Sequence, residues 1–407
     1  MESALALAPR RHETAEPAPS PASRFEVVET LAGLDALAEP WNALAARSAL
    51  PRQGFQSFAW LRSWAEHYSD CGLALYVVLG WMGDELALVW PLGARQRFGL
   101  TSLGFLGEPL CQYHDVLVVD GEAGDRLLAG ALDFVRGLPH DVLNLRRIRE
   151  DSRLGGLLRA AGARVIRRQR APFIDFGGAK TFDAFELGLS AKARSNRRRR
   201  LRHLQDLGVI AFEAPTAPER QEALIAAAMA FKRAWALQGG HFAPSVFDAR
   251  FERCFRDAAR NPGPCAALRV LGVRLDGRVI GVEISFGYRD RLFGHVLAPD
   301  PSLAKYGLGN VLADAAIANA FAQGYRIYDL LAPANAYKSA WTDRSVEVTD
   351  FSLPATRRGA LAMAIVTKAR EAGRHMIARA PPALVRALLG RVEKHHGGPL
   401  DSFPTGR

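Results

Sequence analysis

The stretch Leu292–Leu312, LFGHVLAPDPSLAKYGLGNVL, runs from an apolar strand through a short loop to Gly307 and Gly309, which open an amphipathic helix. Backbone N–H groups at a helix start bind phosphate, and glycine lets a ligand approach the main chain closely. The spacing offers a seat for a pyrophosphate, with Lys305 adding a cation. A strand–Gly-x-Gly–helix turn alone is equally a tight connection. Further on, Tyr328-Asp329-Leu330-Leu331 ends a strand, and Tyr337-Lys338-Ser339-Ala340-Trp341 follows a short loop. Glu283 sits between Val282 and Ile284, where strand alternation turns it either inward or to solvent. These residues supply carboxylates for a general base (Glu283 or Asp329), phenols for a general acid (Tyr328 or Tyr337) and a cation (Lys338). Plainer readings stand beside these: Asp329 as a loop cap, Lys338 as a surface charge, His295 as a core histidine, and Trp60, Trp64 and Trp341 as core or cleft walls.

The elements around these residues occur twice. LALYVVLGWMGDELALVWPLGA (73–94) and ALRVLGVRLDGRVIGVEISFGYR (267–289) are each two apolar runs about a Gly/Asp turn, the signal of a hairpin. In the first half a strand is expected over Tyr113–Val119, a helix over Asp125–Arg136 and a strand over Val142–Leu145. The second half has a strand at Leu292–Leu297, a helix at Gly309–Ala322 and a strand at Arg326–Leu331. Helices at Phe182–Leu207, Pro218–Gln238 and Ser245–Ala259 precede the second hairpin. The pattern implies two copies of one α/β unit on mixed sheets, with a cleft between them and a boundary near Arg167–Pro172. Beyond Pro354 the apolar spacing turns helical as far as Gly398, broken at Pro381-Pro382.

The chain has 407 residues, 49% hydrophobic and 23% charged, with a net charge of +11 that is mostly arginine. That excess suits polyanions: nucleic acid, anionic lipid or a phosphorylated ligand; an arginine-rich composition equally follows from a GC-rich genome. The run Ala193–His203, ARSNRRRRLRH, is either an electrostatic footprint or the solvated face of a helix. Cys71, Cys111, Cys254 and Cys265 form no C-x-x-C pair, so neither a metal site nor a disulfide framework is expected. No apolar run is long enough for a membrane span, and Met1–Ser23 lacks the layout of a secretory signal and reads as a disordered tail. A cytoplasmic protein is expected. Ser-His-Asp, Walker and Rossmann patterns are absent.

Together these motifs resemble the CelD-like acetyltransferases of polysaccharide biosynthesis, members of the GNAT superfamily related to Fem-like aminoacyltransferases. The resemblance rests on the strand ending in Tyr328-Asp329, on Tyr337-Lys338-x-x-Trp341, and on the helix start Leu308-Gly309-Asn310-Val311-Leu312. In the first half it rests on Ser57-x-x-Trp60-Leu61 with Trp64, on Pro91-Leu92, and on Phe105-Leu106-Gly107 with Asp115. It spans Phe25 to Leu353. The GNAT loop pattern Arg/Gln-x-x-Gly-x-Gly/Ala is met by Ala304–Gly309 except at its first position, where Lys305 supplies charge one residue later.

The resemblance implies acyl-CoA, acetyl-CoA foremost, as cosubstrate, with Val296, Leu297 and Ala298 along the pantetheine and Lys305, Gly307, Gly309 and Asn310 at the pyrophosphate. It implies transfer to an amine or hydroxyl of a small-molecule or saccharide acceptor, without a metal. Peripheral contact with a membrane or polysaccharide-synthesis machinery also fits. Two alternatives stand: an aminoacyltransferase using aminoacyl-tRNA, and a non-catalytic binding module. The expected fold is α/β: two tandem GNAT-like mixed-sheet units, 24–170 (non-catalytic) and 171–353 (the acyltransferase), after a tail of 1–23 and before a helical extension of 354–407.

Overall fold

The computed structural model describes residues 23–69, 72–365 and 381. The first half comprises β1 (Ser23–Val28), α1 (Leu31–Asp35), α2 (Ala38–Ser48), α3 (Phe58–Tyr68), β2 (Leu73–Met82), β3 (Glu85–Arg97), β4 (Leu100–Phe105), β5 (Leu117–Val118), α4 (Gly121–Gly137), β6 (Val142–Arg149), α5 (Arg153–Ala160) and β7 (Arg164–Asp175). The second comprises α6 (Phe182–Leu187), α7 (Ala191–Gln205), β8 (Ile210–Glu213), α8 (Pro218–Gly239), α9 (Ala249–Arg260), β9 (Ala266–Leu275), β10 (Arg278–Tyr288), β11 (Arg291–Pro299), α10 (Leu308–Ala322), β12 (Ile327–Asp329), α11 (Ala336–Ser339) and β13 (Ser345–Pro354). Residues 357–365 are helical; the rest of the expected C-terminal helix, like the expected N-terminal tail, falls almost wholly outside the described residues.

The expected repeat is present as topology. In the first unit the antiparallel meander β2–β3–β4 is followed by α4, and β6 then returns parallel to β4. In the second, β9–β10–β11 is followed by α10, and β12 returns parallel to β11. A helix crossover is what a parallel return requires. Both hairpins turn through left-handed backbone, at Gly83 (φ 62°) and at Asp276-Gly277 (φ 48° and 82°), as tight turns between right-twisted strands demand.

The two units share one sheet, in the order β1-β2-β3-β4-β6-β13-β7-β12-β11-β10-β9-β8. The expected boundary lies inside β7, which pairs with β13 up to Pro172 and with β12 from Phe173. The last strand, β13, is inserted between β6 and β7. In place of the expected cleft, an apolar core joins the units: Phe55 of the first packs on Phe286 and Phe293 of the second, with ring centroids 5.6 and 4.9 Å apart. Separate cores fill the outer faces, one under α4 and α5 and others under α6, α7 and α10.

Two expected elements are corrected. Only Leu117–Val118 of the 113–119 segment is a strand, and the third strand of the meander is Leu100–Phe105. Tyr113 and Asp115 instead turn inward and hydrogen-bond to buried partners. The helix expected over 182–207 is two helices. Gly188 ends α6, and the Ser190 hydroxyl accepts from Ala193 N–H to start α7, so serine acts here as an N-cap.

Candidate active site

Glu283 lies on β10, opposite Leu297 of β11. The alternation that sequence leaves open is settled inward: Glu283 is buried. Its Oε1 accepts from the Ser285 hydroxyl and, at 3.0 Å, from the Tyr328 phenol. Burial pushes its carboxyl up to about 7, against the lowering effect of those two donors. Tyr328 is buried on β12, and burial next to Glu283 holds its phenol well above the ordinary range. Gly294 has no side chain because none would fit: a Cβ there would stand 2.6 Å from the Tyr328 hydroxyl.

Glu283, Tyr328 and Tyr337 line one small cavity with Val296 and Leu297. Its core is about 20 Å³, room for one water. Tyr337 is half-buried, and its phenol is raised to about 12, chiefly by burial and then by Glu283. Three of the five expected catalytic residues, and two of the expected ligand-binding ones, are thus brought together.

Asp329 is not among them. Neighbours in a strand point to opposite faces, so Asp329 is turned away from Tyr328. It is 0% exposed. Its Oδ1 accepts from Tyr113 at 2.6 Å and from Leu331 N–H at 3.0 Å; its Oδ2 accepts from Arg291 at 2.7 Å and Arg149 at 3.4 Å. Tyr113 and Arg149 belong to the first unit, so Asp329 ties the units together. Asp329 thus stands outside the Glu283 cavity, and its bond from Leu331 N–H is the loop cap of the plainer reading. For Lys338 it is the surface-charge reading that is corrected. It is buried, and its Nζ donates to the Leu331 and Pro333 carbonyls at 2.9 Å each, which holds the loop between β12 and α11. Burial lowers its ammonium to about 8.

The expected phosphate seat adjoins the cavity through β11. This strand pairs with β12 only over Arg291–Phe293, which leaves Gly294–Pro299 without a strand neighbour on that side among the described residues. α10 starts at Leu308 without a side-chain cap; the N–H groups of Asn310 and Val311 donate to the Gly307 carbonyl, which leaves those of Leu308 and Gly309, among the described residues, for another acceptor. Gly307 takes left-handed backbone (φ 73°) between a 3-10 turn and α10, a conformation that favours glycine. Gly309 faces the end of β11, where a Cβ would lie 3.5 Å from the Pro299 ring. Lys305 is exposed, its ammonium 5.0 Å from the centre of the Tyr306 ring, and Asn310 follows in the first turn.

The basic run forms α7, which packs on α10. Arg197 is buried and stacks on Trp341 at 4.0 Å while pairing with Glu186. Trp341 in turn donates to Asp314 of α10 at 3.2 Å. Burial pushes Asp314 up to about 7. Arg200 passes beside Gly307, within 3.5 Å of where a Cβ would be. Lys192, Arg198, Arg199 and Arg202 face solvent. Asp314 had no local signal, whereas helical spacing from Leu201 and Leu204 would have placed Arg197 on the buried side.

His295 proves to be a core histidine. Its Nε2 lies 2.5 Å from the Leu110 carbonyl among Phe55, Phe251 and Phe255, and burial lowers it to about 4. Among the described residues no group of three or more His, Cys, Asp or Glu could hold a metal, and no helix is long and apolar enough to cross a membrane.

Residues 191–339 match the family model described as an acetyltransferase (GNAT) domain. No curated protein matches the sequence. Among solved structures, FemX matches with a TM-score of 0.52 at 11% identity, over 72% of this chain and 90% of that one. The tandem GNAT protein of the clavulanic acid biosynthesis pathway matches at 0.48 and 13% identity, over 82% of this chain and 99% of that one. The C-terminal domain of a proposed lysylphosphatidylglycerol synthetase from Agrobacterium fabrum matches at 0.49 and 12% identity, over 83% and 96%. Such identities speak for fold alone. The matched span begins at the first residue of α7 and ends at the last of α11, so the part of the chain that is similar to a GNAT acetyltransferase domain contains Glu283, Tyr328, Tyr337 and the start of α10.

Proposed function

We propose that the protein transfers an acyl group, acetyl foremost, from acyl-CoA to an amine or hydroxyl acceptor, as a member of the CelD-like group. The observation that carries this reading is the meeting of three features within the GNAT match: the unpaired edge of β11, the uncapped start of α10, and the Glu283–Tyr328–Tyr337 cavity. In this reading the backbone of Val296–Ala298 pairs with the pantetheine amides. The N–H group of Gly309 meets the pyrophosphate, with Asn310 beside it and Lys305 and Arg200 as flanking cations.

The protein's share of the chemistry is positioning and proton management. A Glu283 carboxylate near pH 7 accepts the acceptor's proton, directly or through one water in the adjoining cavity. The acceptor's freed electron pair forms the new bond to the acyl carbon, and the carbon–sulfur bond breaks. Tyr337 keeps its proton at neutral pH and supplies it to the departing thiolate; Tyr328, already donating to Glu283, orients the base. The saccharide acceptor suggested by the CelD resemblance and the cytoplasmic location belong to this reading as proposals.

Native mass spectrometry of the full chain with acetyl-CoA and longer acyl-CoAs tests it. A 1:1 acyl-CoA complex is expected. The exposed cations of α7 favour one second reading, a Fem-like aminoacyltransferase, which would be indicated by retention of tRNA without any acyl-CoA complex. Absence of both would leave a non-catalytic module.

A further inference from the structure

The solvent side of α7 carries charge that neither the acyl-CoA seat nor the packing on α10 uses. The helix holds seven Lys or Arg and no Asp or Glu. Arg197 is buried in its pair with Glu186, Arg194 donates to the carbonyls of the turn before the helix, and Arg200 passes Gly307. Lys192, Arg198, Arg199 and Arg202 remain. Helical spacing sets them on the arc turned from Arg197 and Leu204. All four are exposed, and none makes a hydrogen bond or ion pair among the described residues. Exposed arginines elsewhere find carboxylates: Arg126 pairs with Glu122, Arg220 with Glu213, Arg260 with Glu222 and Arg344 with Asp175. Within α7, Arg194, Arg198 and Arg202 instead follow one another at intervals of four residues, and like charges so spaced destabilise a helix. An anionic partner relieves that repulsion.

Two further observations give the partner's class. Leu187, the last residue of α6, and Val209, shortly after α7 ends, are 71% and 72% exposed, so aliphatic side chains stand in water at both ends of the charged helix. Beside the helix opens a cavity of about 960 Å³, counting its mouth, where Arg198 joins Leu201, Phe212, Leu271, Val311 and Ala315. The carboxylates in its wall are already engaged: Glu186 with Arg197, Glu213 with Arg220 and Arg274, and Asp314 with the Trp341 N–H. A phosphodiester chain answers the cations and leaves the aliphatic residues in water. A bilayer of anionic lipid answers both. Each Lys or Arg near such a surface gains roughly fivefold in partitioning, and apolar side chains gain by leaving water.

We propose that α7 docks the protein on an anionic lipid bilayer. Lys192, Arg198, Arg199 and Arg202 lie among the headgroups, and Leu187 and Val209 reach the apolar layer beneath them. Because α7 packs on α10, the same contact holds the candidate acyl-transfer site at the membrane surface. The inference is independent of whether acyl-CoA binds.

Flotation of the full chain with lipid vesicles at physiological salt tests it. Vesicles of phosphatidylcholine and phosphatidylglycerol mixed two to one should carry the protein, and vesicles of phosphatidylcholine alone should not. Changing Lys192, Arg198, Arg199 and Arg202 together to glutamine should weaken partitioning by about a hundredfold or more. Changing four exposed arginines of the first unit, Arg126, Arg136, Arg164 and Arg168, to glutamine removes the same charge and should cost less than about tenfold, since screening confines the effect to the contact face. Leu187→Gln combined with Val209→Thr alters no charge and should weaken partitioning at least threefold. All these side chains are exposed, and an unchanged melting temperature establishes that each variant is folded. Absence of vesicle binding overturns the proposal. So does a first-unit variant that loses as much as the α7 variant, since net charge alone would then be the cause. Full retention by the Leu187–Val209 variant, or displacement of the protein from vesicles by tRNA, assigns the face to a polyanion other than lipid and equally overturns it.

Discussion

Replacing Asp329 by alanine separates a structural brace from a base. The carboxylate is fully buried and faces Arg291 and Arg149, whose side chains are 9% and 6% exposed. Deleting it takes the carboxylate from the buried Arg291 guanidinium, while Arg149 keeps its pair with Asp151, and the Tyr113 hydroxyl loses its acceptor. Removing one partner of a buried ion pair costs about 3–5 kcal/mol, because the remaining charge stays desolvated. Against a typical total of about 5–15 kcal/mol, that is a large fraction of the fold's stability. Asp329→Asn keeps an oxygen for Tyr113 and Leu331 but turns an amide toward the arginines, so it should lose less, with the same sign. Urea unfolding followed by tryptophan fluorescence reads both variants. A loss below about 1 kcal/mol for Asp329→Ala, accompanied by a collapse of turnover in folded protein, would refute the brace and restore Asp329 as a catalytic candidate.

Glu283→Gln should abolish acyl transfer yet stabilise the protein at pH 8. The folded carboxyl titrates near 7 against an ordinary 4.5, so wild-type protein loses stability as pH rises through that window; the glutamine variant gains roughly 1–3 kcal/mol at pH 8 and nothing near pH 4. Wild-type turnover should rise with pH through about 7, and a profile flat from pH 6 to 8 would exclude Glu283 as the base. Lys338→Met leaves the Leu331 and Pro333 carbonyls without their donor and should cost about 1–3 kcal/mol in the same urea assay. Unchanged stability there would remove Lys338 as the anchor of its loop.

The legible part of this fold was the part written in local spacing. The two hairpins, the helix crossovers and the Gly307–Gly309 junction all follow from apolar alternation and turn residues, and each stands near its expected place. What escaped depends on distant partners. Nothing local to Ser345–Pro354 says that it inserts between β6 and β7, because both strands lie well over a hundred residues earlier. Leu100–Phe105 is a short strand of mixed residues whose neighbours, rather than its own pattern, define it. Within the site, Tyr328 and Asp329 read as one motif, yet alternation sends them to opposite faces. The one meets Glu283, the other Arg149 and Arg291. Glu283 was ambiguous by the same alternation until the register of β10 against β11 fixed it.

The central claim is that acyl-CoA binds where β11 meets α10, and calorimetric titration of Gly309→Leu with acetyl-CoA tests it most directly. A Cβ at Gly309 would lie 3.5 Å from the Pro299 ring, an ordinary contact, so the position tolerates a side chain and the bulk of a leucine there is what should obstruct a ligand at the helix start. Folded Gly309→Leu protein should bind at least tenfold more weakly, about 1.4 kcal/mol. Lys305→Ala should show a smaller loss that fades as salt rises, and Gly178→Leu, where a side chain meets open space, should leave affinity intact. Unchanged affinity for acetyl-CoA in folded Gly309→Leu protein would contradict the account.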